Sequence, residues 1–61
     1  MENSKMRVNC TGVITQDLNK DFRAGDDVDV FIEDVASNLY YVMNLENNKM
    51  AWIMFKDVEL D

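Results

Sequence analysis

Leu39-Tyr40-Tyr41-Val42-Met43-Asn44-Leu45-Glu46-Asn47-Asn48-Lys49-Met50-Ala51-Trp52-Ile53-Met54-Phe55 decides the fold. Two runs rich in aromatic and β-branched residues flank a short polar stretch, and Asn tolerates the left-handed backbone that tight turns need. The stretch predicts a hairpin, with strands over 39–45 and 50–55 and a turn at Asn47-Asn48. If Glu46 sits opposite Lys49, then Val42 faces Ile53, Met43 faces Trp52 and Tyr41 faces Met54. Successive side chains of a strand switch faces. Tyr40, Val42, Ile53 and Phe55 therefore share one face, and Tyr41, Met43, Trp52 and Met54 share the other. Both faces are apolar, and a chain this small has room to enclose one of them. The other is exposed, covered by the loop over 15–23, or covered by another chain.

Upstream, Val28, Val30 and Ile32 alternate with Asp27, Asp29, Phe31 and Glu33, which predicts a strand with β-branched residues inward and carboxylates outward. Ala24-Gly25-Asp26 marks the turn into it. Met6, Val8 and Cys10 alternate with Arg7, Asn9 and Thr11, a strand over 6–14 interrupted near Gly12. The stretch 15–23 is polar apart from Leu18 and Phe22, and it reads as a long loop whose two apolar residues tuck against the core. Residues 34–38 form a connection. Downstream, Lys56-Asp57 is a turn, and 58–60 forms a short fifth strand. Five short strands without a helical period indicate an all-β chain, a small barrel with a long first loop. The expected organisation is a frayed N-terminus over 1–5 and one domain over 6–61.

The order of these landmarks resembles an SH3-like barrel. Phe22-Arg23-Ala24-Gly25-Asp26-Asp27-Val28-Asp29-Val30 stands where that family passes from its long first loop through a Gly-acidic turn into an alternating strand. Leu39-Tyr40-Tyr41-Val42 stands at its tandem-Trp strand. Ala51-Trp52-Ile53-Met54-Phe55-Lys56-Asp57-Val58 is similar to its closing segment. The resemblance implies that Ile53 and Val58 point inward with Val28, Val30 and Val42, and that Trp52 points outward with Tyr41, Met43 and Met54. In size, charge and Met content the chain also resembles the small acidic SH3-like proteins of bacteriophages and prophages. The grip on proline-rich peptides is not implied, because it needs aromatic ridges. Cys10-Thr11-Gly12-Val13-Ile14 contains no aromatic residue, neither Asn38 nor Leu39 is aromatic, and Met54 and Asp57 replace the closing Pro and Tyr.

Composition narrows the function. The 61 residues carry 12 acidic and 6 basic side chains, a formal charge of −6, with no His, no Pro and one Cys. Histidine-based acid–base chemistry and His-ligated zinc are excluded, and so is an intrachain disulfide. A domain near this size buries only about 60% of the surface its unfolded chain exposes, which leaves little core from which to carve a catalytic cleft. Residues 24–61 hold two basic against nine acidic residues, a balance that repels phosphate backbones and disfavours direct nucleic-acid binding. The longest apolar run, Ala51-Trp52-Ile53-Met54-Phe55, is far below the ~20 residues of a membrane span. The opening residues carry no apolar signal segment, and the single thiol fits a reducing cytoplasm. Cys10 reads as a small packed hydrophobe, with no basic cluster nearby to activate it.

Two constellations remain. Tyr41, Met43, Trp52 and Met54 form a candidate partner-binding patch, since Trp and Tyr dominate interface hot spots and Met adapts to varied shapes. Asp26, Asp27, Asp29, Glu33 and Asp34 form a candidate acidic rim. Their spread along a strand lacks the convergence a calcium ion needs, so no metal or cofactor is expected. Phosphate-loop and dinucleotide motifs are absent. The expected function is a non-catalytic protein-interaction module, an acidic inhibitor or adaptor acting on a partner protein. The alternative is a structural subunit or obligate homo-oligomer with the Trp52 patch permanently buried.

Overall fold

A computed structural model describes residues 4–61. Five strands follow in order: β1 (Lys5–Ile14), β2 (Asp27–Asp34), β3 (Leu39–Asn44), β4 (Met50–Met54) and β5 (Val58–Leu60), with one 3-10 turn at Phe55–Asp57 before β5. They form one antiparallel sheet in the order β4-β3-β2-β1-β5. The chain is all-β, its sheet curled into a half-barrel, consistent with an SH3-like small barrel. The first strand opens at Lys5, and the Ser4 hydroxyl already donates to Asp34 at 2.9 Å. The expectation of a frayed segment therefore lies outside the described residues for 1–3 and does not extend to Ser4 and Lys5.

The core consists of Ile14, Phe22, Val28, Val30, Val42, Ile53 and Val58, with Val8, Cys10, Leu18, Tyr40 and Ala51 packed against it. Leu18 and Phe22 reach it from the long first loop, as their isolation in a polar stretch predicts. Asn19 shapes that loop: its side-chain oxygen accepts from the backbone N–H groups of Asp21 and Phe22. At the loop's end Gly25 adopts φ 92°, a left-handed geometry that glycine takes without a side-chain clash. Its N–H donates to the Ile14 carbonyl at 2.8 Å and closes the loop.

Two features depart from simple alternation. Val8 and Asn9 of β1 together oppose Phe31 of β2, and Phe31 has no counterpart on β3. Each is a β-bulge, the insertion that bends a strand and re-aims its side chains. Before the bulge, Val28 and Val30 point inward. After it, Ile32 stands opposite Arg7 and Tyr41, and Glu33 stands opposite Tyr40. Ile32 thus leaves the core face that its alternation with Val28 and Val30 predicts, and Glu33 moves to the inner side.

The hairpin register also differs. Tyr41 pairs with Trp52, Tyr40 with Ile53 and Leu39 with Met54, two residues away from the expected pairing. The cause is a longer turn. The Asn48 N–H donates to the Asn44 carbonyl at 2.7 Å, Asn48 takes φ 64°, and Leu45 to Asn48 all lie in the loop. A shift of two preserves which residues share a face, so both predicted faces stand.

Candidate functional site

Pairing across four strands aligns Arg7, Ile32, Tyr41 and Trp52 in one outward row. Residues directly opposite in a ladder lie on the same side of the sheet. The Tyr41 and Trp52 rings lie 5.0 Å apart, tilted by 47°, a geometry that aromatic pairs favour. Met43 pairs with Met50 in the row on one side, and Leu39 with Met54 in the row on the other. Trp52 is 40% exposed, Met50 47% and Met54 53%, while Tyr41 and Met43 are half-buried. The outer face is therefore apolar and open to solvent. Leu18 and Phe22 of the loop over 15–23 pack into the inner core, and Trp52 stays exposed. All four predicted patch residues lie on this face.

Sequence reasoning missed Arg7, Phe31, Ile32 and Met50, which join it. Arg7, Val8, Phe31, Ile32, Tyr41 and Met50 line an open depression of about 360 Å³. Met50 was readable from its even spacing with Trp52 and Met54. Ile32 was not, because the bulge that turns it outward carries no Gly or Pro to mark it.

The acidic residues do not assemble into one rim. Asp34 is buried: its carboxylate accepts from Ser4 and from the Ala36 N–H, with the Lys5 ammonium at 3.4 Å. The Ser4 hydroxyl, aided by Lys5, holds its carboxyl below the usual range against the opposing effect of burial. Asp26 accepts from the Arg23 N–H at 2.9 Å and the Asn44 amide at 2.8 Å, and those bonds, Arg23's first, lower its pKa. Glu33 lies in the inner row with Tyr40. Asp27 and Asp29 lie on the outer face, Asp29 directly opposite Met43, and Asp34 pairs with Leu39 in the row of Met54 but is itself buried. Single-face alternation along β2 gave the wrong placement for Glu33, because the bulge intervenes, and Asp34, expected in the connection over 34–38, instead ends β2 with its carboxylate held by Ser4 and the Ala36 N–H. Among the described residues no group of three or more Cys, Asp or Glu side chains is placed to hold a metal ion.

Two further groups are structural. The buried Asp57 carboxylate accepts from the Gln16 amide and from Lys56, and the Gln16 bond first lowers its pKa. On the inner side Tyr40 packs on Phe55 with ring centroids 4.4 Å apart, and burial raises its phenol pKa, with Glu33 and Cys10 adding to the effect. Cys10 is half-buried against the core with a free thiol.

No family model, no curated protein and no solved structure matches this chain. No helix among the described residues is long and apolar enough to cross a membrane.

Proposed function

We propose that the chain is a non-catalytic protein-interaction module that docks a partner protein on its outer face. The observation that supports this most directly is the exposed row ending in Tyr41 and Trp52, with Met50 and Met54 beside it. Trp52 keeps 40% of its surface exposed, so a partner removes about 80 Å² of roughly 200 Å² from water, a favourable ~2 kcal/mol at about 25 cal/mol per Å² before association costs. Met side chains around it supply an adaptable margin. Arg7 at the far end of the row offers a partner one charge-assisted hydrogen-bonding group. Asp27 and Asp29, on the same face, suit a basic neighbour. The working role is an adaptor or inhibitor in the cytoplasm, in the style of the small acidic SH3-like proteins of bacteriophages.

The test compares the wild type with Trp52→Ala, each immobilised and exposed to extract of the cells that express it. One stoichiometric partner retained by the wild type and lost by Trp52→Ala, with thermal midpoints alike, is the expected result. Equal retention by both removes the outer face as the docking site.

A further inference from the structure

The outer face ends at a sheet edge whose backbone is open. β4 is the outermost strand, and its pairing with β3 runs without a register break. The ladder is bracketed by two bonds: the Asn44 N–H donates to the Lys49 carbonyl at 2.8 Å, and the Phe55 N–H donates to the Asn38 carbonyl at 2.9 Å. Bonded positions alternate along an antiparallel strand. Lys49, Ala51, Ile53 and Phe55 therefore bond towards β3, and Met50, Trp52 and Met54 turn their N–H and C=O groups away from it. These three residues also carry the exposed side chains. One strand thus offers free hydrogen-bonding groups and apolar side chains at the same positions.

Edge strands are normally kept from pairing by charge, proline, bulges or short length. β4 has five residues, Met50-Ala51-Trp52-Ile53-Met54, with no charge, no proline and no bulge. The other edge is different. β5 has three residues, contains Glu59, and lies between Asp57 and Asp61. One edge of the sheet is guarded and the other is not.

We infer that β4 pairs antiparallel with β4 of a second copy of this chain. Charge selects this occupant. In a chain of net −6, residues 47–56 contain no carboxylate and two lysines, so two copies repel least along this edge. The open groups set the register: Trp52 pairs with the partner's Trp52 and Met50 with the partner's Met54. The same register brings Lys56 beside the partner's turn, where Glu46 lies. The row from Arg7 to Trp52 then continues across the seam into the partner's row. This inference uses the backbone edge and goes beyond the side-chain docking of the proposed function, so the two stand or fall separately.

Met54 provides the test, because its φ of −63° already matches proline. Met54→Pro removes one edge N–H, places a ring at the seam and breaks no bond to β3. Sedimentation equilibrium from micromolar to millimolar chain is expected to show the wild type approaching twice the chain mass. Met54→Pro should keep the chain mass throughout, with an unchanged far-ultraviolet circular dichroism spectrum. A wild type that stays at one chain mass at millimolar concentration overturns the inference, as does a Met54→Pro protein that associates like the wild type. Should the variant unfold, amide exchange of the wild type decides: Trp52 and Met54 N–H groups must slow as concentration rises, and concentration-independent exchange overturns the inference. A monomeric wild type that still loses a captured partner on Trp52→Ala sinks the edge pairing alone. A dimer sensitive to Met54→Pro, without any Trp52-dependent partner, sinks the docking reading alone.

Discussion

The Asn44 side-chain amide donates to the Asp21 backbone carbonyl at 2.7 Å and ties the long first loop to the β3–β4 hairpin. The same amide donates to Asp26, and the Asn44 oxygen accepts from the Glu46 N–H at 2.8 Å. Asn44 is fully buried, and no buried side-chain polar atom among the described residues lacks a partner. One polar side chain thus fixes the loop that delivers Phe22 to the core, the turn before β2, and the hairpin that presents Trp52.

Asn44→Ala leaves the Asp21 carbonyl with the more exposed Asn47 amide as its one remaining side-chain donor, and strips Asp26 of one bond. A buried group losing its partner costs about 1–3 kcal/mol, and the small cavity adds to that. The expected result is a lower urea midpoint with an unchanged slope. A midpoint equal to the wild type would show that water replaces the amide and that the loop is not held by it.

Much of this was legible in the sequence. The five strands, the Gly25 turn, the tucked Leu18 and Phe22, and the shared face of Tyr41, Met43, Trp52 and Met54 all follow from alternation and turn chemistry, while the outward direction of that face is what the SH3-like resemblance implies. The parity survived a wrong register because the error was two residues, which leaves every side chain on its face. What the sequence concealed was the bulge at Phe31. A bulge depends on how neighbouring strands accommodate twist, and nothing in Val30-Phe31-Ile32 announces it. Asp34 and Asp57 were concealed for a related reason. Their burial depends on Ser4 and Gln16, 30 and 41 residues away.

Acid sensitivity follows from three carboxylates. Asp26, Asp34 and Asp57 are each held below the ordinary value, by the Arg23 N–H, the Ser4 hydroxyl and the Gln16 amide respectively. A carboxylate with a lowered native pKa binds fewer protons than in the unfolded chain. Its contribution is complete above the unfolded value of about 3.9 and disappears as pH falls through the lower native value. Urea midpoints should hold steady above pH ~5 and fall steeply below pH ~4. Asp57→Asn should flatten that fall, and a profile identical to the wild type would remove Asp57 from the account.

The two faces of the hairpin should answer differently to truncation. Val42 is fully buried at the centre of the core, and Val42→Ala is expected to cost about 1–3 kcal/mol by lost burial and cavity formation. Met54→Ala, on the outer face at 53% exposure, should change stability by less than about 0.5 kcal/mol. Chemical denaturation of both variants at low micromolar concentration separates them. Similar losses would place Met54 in a packed environment that the outer face does not provide.

Gly12 marks a close approach of β1 to β5. A Cβ built there would lie 2.8 Å from the Glu59 carbonyl oxygen and 3.0 Å from Val58 Cγ1. The first contact is backbone and cannot rotate aside. Gly12 pairs with Leu60, and β5 is attached to the sheet through only three such pairs. Gly12→Ala therefore has to move β5 away from β1, and overpacking of this kind costs typically ~1–3 kcal/mol. The displacement should be local, because Val28 and Val42 are anchored through β2 and β3. The expected signature is a reduced thermal midpoint together with amide-exchange protection lost first at Glu59 and Asp61, whose N–H groups face β1. Protection lost evenly over all five strands would instead mean that β5 and the rest of the sheet open as one unit.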